Sequence, residues 1–399
     1  MLSLARLVRT LWVSSLMWAM VALSAAAQNT AQPQTGAQPA QEKPPEQQQP
    51  PEAAEPDKAV VEQVKPLYAL VSEAMKSETA GASAWNVDPS GKQPPSATTA
   101  PSDPTLTTDF VGFPDNQVYV PFQLTLDSQA IPSPAVAVYV RAVAKARQAP
   151  GGSEASAAGQ QATEQKQERS EDQAGEDAGE TKFPFEDYYV ATAKQLGPNE
   201  PSVLSGYALL PTGSYDLYVA LRERAGDASK PFQAIVVKQA LDVPDFLGGD
   251  LTTSSVLLAK NMEELPNEPT PQERHENPYT LGRARLSIAA DGLFTQGDEV
   301  NLVLFVYNFG TDPNQKPDVT VEYQLFEKQG EAEKEFVKLE PQTYDASTVD
   351  QSADRLAVSL SFAVSDLKKD GDFRLVIKVT DNISGKSLTR DAPFKVAAS

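Results

Sequence analysis

Val118-Tyr119-Val120-Pro121-Phe122-Gln123-Leu124 and Val300-Asn301-Leu302-Val303-Leu304-Phe305-Val306 decide the fold. Each places four apolar side chains two residues apart, the pattern of a strand with one face against a core. An aromatic residue precedes each run, Phe113 in the first and Phe294 in the second. They open two copies of one longer series. Pro134 followed by Val136, Val138, Val140 and Ala142 matches Pro317 followed by Val319, Val321, Tyr323 and Leu325. A glycine then leads a third alternation: Gly213, Tyr215, Leu217, Val219, Leu221, and Gly371, Phe373, Leu375, Ile377, Val379. Each copy closes on an aromatic, Phe232 before Ile235 and Phe394 before Val396.

Spacing separates a repeat from coincidence. Phe to Pro is 21 residues in the first copy and 23 in the second; Gly to closing Phe is 19 and 23. Only Pro to Gly differs widely, 79 against 54. The longer interval holds Gln148 to Lys182, a Gly/Ala/Gln/Glu stretch with eight acidic and three basic residues, whose composition is that of a disordered insert.

Short alternating strands separated by turn residues predict an all-β chain of two tandem immunoglobulin/fibronectin-like antiparallel β-sandwiches. The expected boundaries are 105–245 for the first, with the insert at 148–182, an inter-domain segment at 246–280, and 281–399 for the second. Within that segment, Leu251 to Leu258 reads as a strand and Pro266 to Pro278 as a stiff linker.

Upstream, Met1 to Ala27 has the plan of an export signal: Arg6 and Arg9, an apolar stretch from Leu11 to Leu23, then Ala25-Ala26-Ala27. Residues 28–56 form a Pro/Gln/Glu-rich tether without the apolar content that offsets ordering. Val60, Val64, Leu67, Val71 and Ala74 predict a short helix over 57–78, capped by Asp57 and interrupted by Pro66. Residues 79–104, with Trp85, read as a linker.

The run Leu210-Pro211-Thr212-Gly213-Ser214-Tyr215-Asp216-Leu217-Tyr218-Val219, with Val243-Pro244-Asp245-Phe246, Ser254-Ser255-Val256-Leu257-Leu258-Ala259, Phe294 and Gly297-Asp298, supports a resemblance. It is similar to the tandem β-sandwich region that follows the von Willebrand A-type domain in uncharacterised secreted bacterial proteins. The resemblance covers roughly residues 105–399 and implies an exported sandwich protein. The A-type metal motif, Asp-x-Ser-x-Ser, is absent, so ion-dependent adhesion is not implied.

Composition narrows the function. The 399 residues carry 34 Lys+Arg and 54 Asp+Glu, a net charge of −20, which opposes nucleic-acid binding. Without cysteine there are no disulfides, thiolate metal sites or thiol catalysis. The only histidine, His275, lies in the Pro/Glu-rich stretch and reads as an ordinary exposed residue, with no Gly-x-Ser-x-Gly elbow beside it. Asp312 and Asn314, with Asp318 beyond, are the one candidate calcium group, set against their reading as a simple turn. Tyr188 and Tyr189, beside Phe183 and Phe185, are candidate sugar-stacking residues. The expected product is a non-catalytic interaction or structural protein without a cofactor, periplasmic or secreted. Its partner would be an envelope protein or a glycan, and it would touch a membrane only through an uncleaved signal. A carbohydrate-binding accessory protein and an envelope assembly factor acting through the helix are the alternatives.

Overall fold

The structure is a computed structural model and describes residues 58–76, 81–87, 96–99, 104–127, 135–145, 183–195, 201–224, 231–289, 291–349 and 354–397. The expected signal, tether and acidic insert lie outside these residues. The chain runs α1 (Lys58–Ala74), β1 (Gly81–Val87), β2 (Ser96–Thr99), β3 (Thr105–Thr108), β4 (Val111–Phe113), β5 (Gln117–Leu126), β6 (Ala135–Ala144), β7 (Phe185–Thr192), β8 (Lys194–Gln195), β9 (Ser202–Pro211), β10 (Gly213–Glu223) and β11 (Phe232–Val243). It continues with β12 (Thr252–Thr253), β13 (Leu257–Glu264), α2 (Pro271–Glu276), β14 (Thr280–Leu281), β15 (Ala284–Ile288), β16 (Leu293–Phe294), β17 (Glu299–Tyr307), β18 (Val319–Gln329), β19 (Ala332–Lys338), β20 (Gln342–Tyr344), β21 (Arg355–Ala363), β22 (Gly371–Asp381) and β23 (Ser387–Val396).

The repeat is a repeat of topology. Sheet I runs β2-β1-β11-β10-β6-β7 and sheet IV runs β16-β23-β22-β18-β19. Their central orders, β11-β10-β6-β7 and β23-β22-β18-β19, correspond strand for strand. Sheets II and III correspond too: β5 pairs β9 on one side and β3 and β4 on the other, while β17 pairs β21 on one side and β12 and β13 on the other. Gly213 opposite Val243 and Gly371 opposite Val396 fix the common register. That register corrects one expectation. Phe394 corresponds to Leu241, and Phe232 instead begins its strand.

Alternation then builds the layers. Val118, Val120, Phe122 and Leu124 of β5 face sheet I, with Val138, Val140, Leu217 and Val219. Val300, Leu302, Leu304 and Val306 of β17 face sheet IV, with Val321, Tyr323, Leu375 and Ile377. The other faces of these strands are buried as well. Tyr119 of β5 belongs to the same cluster as Val303, Phe305 and Tyr307 of β17, so sheets II and III pack face to face. Gly112 allows this approach: its N–H donates to the Tyr307 hydroxyl (2.9 Å), and a Cβ there would lie 2.8 Å from the Tyr307 ring. Arg355 donates to the Gly112 carbonyl from the same side (3.0 Å).

α1 forms a fifth layer on the outer face of sheet I. Val64, Leu67, Leu70 and Val71 are buried against Trp85, Ala137, Tyr139, Tyr218, Ala220 and Val236; each such side chain contributes about 1.5–3 kcal/mol. The expected stripe is therefore the docking face, and one helix runs through Pro66. Arg141 of β6, 1% exposed, pairs with Glu186 (3.0 Å) and lies over the rings of Phe183 (3.9 Å) and Tyr68 (4.4 Å).

The expected linker 79–104 is part of a sheet, and the expected inter-domain segment 246–280 holds strands where Leu251 to Leu258 reads as one and a helix in its expected stiff linker. Residues 79–104 contain β1 and β2, and β1 pairs with β11 along seven positions. Residues 246–280 contain β12 and β13, which pair with β17, together with α2 and β14. Both segments are short of alternating apolar residues and gain their strand geometry by pairing with an existing edge.

Candidate functional site

The joint between the sandwiches is fixed by aromatic and carboxylate groups. α2 begins with a capping box: Thr270 accepts from the Glu273 N–H, and the Glu273 carboxylate accepts from the Thr270 N–H. This turn holds His275 against sandwich 1. The ring stacks between Tyr189 (4.6 Å between centroids) and Tyr207 (5.1 Å), and Nε2 lies 2.8 Å from an Asp187 oxygen. Its side chain is 15% exposed, so the expectation of an exposed histidine is corrected; contacts from sandwich 1, distant in sequence, bury it. Tyr119 donates to the Pro278 carbonyl (2.6 Å) and Tyr279 to Asp109 (2.8 Å).

A cleft of about 550 Å³ opens beside this joint, within the usual size of a ligand site. Thr107 and Thr108 of β3, Gln123 of β5, Thr252 to Leu258, Ile288 and Ala289, and Arg390 to Pro393 of β23 line it. Three strand edges converge here. Among the described residues, β3 and β12 each have a strand on one side only, and β16 covers β23 only at Lys395 and Val396. Phe110 and Ser255 join the two corresponding connections: the Ser255 N–H donates to the Phe110 carbonyl and the Phe110 N–H to the Ser255 hydroxyl, each at 2.9 Å.

The charges of the cleft are few. Asp109 lies in its wall; burial raises its carboxyl above the ordinary range, opposed by hydrogen bonds from Tyr279 and Ser255. Arg390 donates from Nε to the Thr253 hydroxyl (2.8 Å) and from Nη1 to the Thr389 carbonyl (3.3 Å). No carboxylate among the described residues forms an ion pair with it. Asp391 is held by Arg374 (2.6 Å) on the outer face of sheet IV. Hydroxyls, free edges and one cation without an acid suit recognition of an extended polar chain.

The residues singled out from sequence lie elsewhere. Asp312 accepts from the N–H groups of Asn314 and Lys316 (2.8 Å each), which holds its carboxyl below the ordinary range; the Lys316 N–H dominates, with burial opposing. Asp318 instead accepts from Asn382 (2.7 Å). The three do not converge, and among the described residues no group of three or more His, Cys, Asp or Glu is placed to hold a metal ion. Tyr188 and Tyr189 point to opposite faces of β7, as neighbours in a strand must. Tyr189 is buried beneath His275, while Tyr188 packs at the rim of the α1 cluster. They form no common platform. The cleft was missed because its residues come from three distant segments, and the only local signal was the Thr/Ser content of 105–108 and 252–255.

No family model matches the chain, and no curated protein does. Among solved structures, a point mutant of Salmonella alpha-2-macroglobulin is similar at 12% identity and a TM-score of 0.19. The match covers 80% of this chain and 21% of that one, so this chain spans about a fifth of its length. A likeness at that level carries no argument about function.

Proposed function

We propose that this chain is a non-catalytic, extracytoplasmic interaction protein that holds an extended partner in the cleft between its two sandwiches. The observation that carries the reading is the convergence of the β3, β12 and β23 edges on one cavity whose cation, Arg390, has no acid partner among the described residues. The face-to-face packing of sheets II and III supports it, because a preorganised wall lowers the ordering cost of binding. The export signal read from Met1 to Ala27 supplies the location. Among the described residues no helix is long and apolar enough to cross a membrane.

The alternatives draw less support. Sugar stacking on Tyr188 and Tyr189 lacks a shared face, and the helix proposed for assembly work already lies on sheet I. The test is hydrogen–deuterium exchange on the full chain with panels of envelope oligosaccharides and strand-forming peptides. Protection confined to Thr107–Phe110, Thr252–Leu258 and Arg390–Pro393 is the expected result. Binding with protection on α1 or sheet I alone would contradict the reading.

A further inference from the structure

The two sandwiches carry the same strands, but their equivalent edges are finished differently. In sheet I the edge strand β11 is covered by β1, which pairs antiparallel from Phe232 to Lys238. The common register places those residues on 385–391 in sheet IV. There, among the described residues, β23 has no such neighbour: β16 supplies two residues, parallel, at Lys395 and Val396. Among the described residues the stretch Ser387–Pro393 pairs with β22 alone, on one side.

The backbone on this open side is oriented for a strand. Residues alternate the side to which both backbone polar groups point. The N–H groups of Lys395 and Ala397 reach Gly292 and Phe294 away from β22, so the odd-numbered residues face the open side. Thr389 and Asp391 thus present N–H and C=O groups there, and Pro393, with no N–H, closes the receptive stretch. The same edge lines the cleft, where Leu258, Ile288 and Ala289 offer an apolar floor and Arg390 a cation.

We propose that β23 is a strand-acceptor edge: an extended peptide segment of a partner protein adds antiparallel to Ser387–Pro393, as β1 does on β11, and sets a carboxylate side chain on Arg390. The inference rests on the cleft being the recognition site and names its ligand class. Main-chain hydrogen bonds to Thr389 and Asp391 supply affinity, and Arg390 supplies the side-chain preference.

The test uses the full chain and synthetic octapeptides of alternating Thr and Val with Glu, Gln or Lys at one Thr position. The Glu peptides should bind about tenfold or more tightly than the Lys peptides. Arg390→Gln should bring the Glu and Gln peptides within about twofold. Asp391→Pro, which removes an open-side N–H without touching the β22 ladder, should weaken every peptide about tenfold or more, against about threefold or less for Asp391→Ala. Thermal unfolding checks each variant, and the Arg390→Gln arm decides if Asp391→Pro does not fold. Equal binding by Asp391→Pro and the parent, or no charge preference, overturns the proposal. An oligogalacturonide that binds the parent, loses binding in Arg390→Gln and keeps it in Asp391→Pro overturns strand addition while leaving the cleft as the site. Protection by either probe outside the cleft overturns both.

Discussion

Sheets I and IV are built on one plan and solvated differently. Tyr139 lies opposite Ala220 in sheet I, and the equivalent pair in sheet IV is Glu322 opposite Lys378. Arg141 corresponds to Gln324, Arg222 to Thr380 and Glu223 to Asp381. The outer face of sheet I is apolar and lies under α1, so β6 and β10 are buried on both faces; β18 and β22 alternate buried with partly exposed positions. The same backbone thus accepts a helix or water according to its outer row of side chains. A cross-strand ion pair persists with its signs reversed: Lys238 with Asp216 (3.4 Å) in sheet I, Asp391 with Arg374 in sheet IV.

Unseating α1 should have the largest effect on the difference between the two sheets. Leu67→Ala should cost about 2–5 kcal/mol in denaturant unfolding, because a fully buried side chain leaves a cavity between helix and sheet. The loss should appear in sandwich 1; an equal loss in sandwich 2 would mean that the two unfold as one unit.

Asp381 ranks next. It is buried and accepts from the N–H groups of Gly310 (2.8 Å) and Ile383 (3.0 Å) and from the Ser384 hydroxyl, whereas its counterpart Glu223 is exposed. Burial pushes its carboxyl up, but these hydrogen bonds prevail and hold it below the ordinary range. A depressed folded value means stability that is fully present above the unfolded value of about 3.9 and lost as the pH falls through the lower folded value. Asp381→Ala should cost about 1–3 kcal/mol at neutral pH. It should also flatten the acid limb of the stability curve of sandwich 2.

The two buried arginines of sheet I should respond in opposite directions. Arg141 has Glu186 and three aromatic rings, so Arg141→Met should destabilise by about 1–3 kcal/mol. Arg222 is 1% exposed, lies 3.5 Å over Phe232, and has no hydrogen-bond partner at Nη1 or Nη2 among the described residues; burial lowers its pKa. Arg222→Met should therefore be neutral or stabilising by up to about 2 kcal/mol. The smallest effect belongs to the solvated sheet. Lys378→Ala removes one of two lysines from Glu322 and should change stability by less than about 1 kcal/mol, an effect that shrinks further in salt.

Much of this contrast is written in the strands. β6 reads Val136-Ala137-Val138-Tyr139-Val140, apolar on both faces, whereas β18 reads Val319-Thr320-Val321-Glu322-Tyr323. The period-2 reading of Val300, Leu302, Leu304 and Val306 found the sheet IV face; Val303 and Phe305 between them, with Tyr307 after, mark the second buried face. The stripe from Val60 to Ala74 predicted the helix, but its seat on sheet I is set by partners remote in sequence. Less was legible where structure comes from partners remote in sequence. Gly81-Ala82-Ser83-Ala84 has no strand pattern of its own and is ordered by pairing with β11. His275 looked exposed because the tyrosines that enclose it lie on β7 and β9. The cleft, assembled from three segments, had no local motif to find.

Among the described residues, β23 has an open edge where its counterpart β11 is covered. Residue-resolved amide exchange on the free chain measures this directly. Val236 and Lys238, which face β1, should be strongly protected, whereas the equivalent Thr389 and Asp391 should exchange at least about a hundredfold faster, as amides open to water do. Protection of Thr389 and Asp391 as strong as that of Val236 and Lys238, with no ligand added, would mean that the β23 edge is closed.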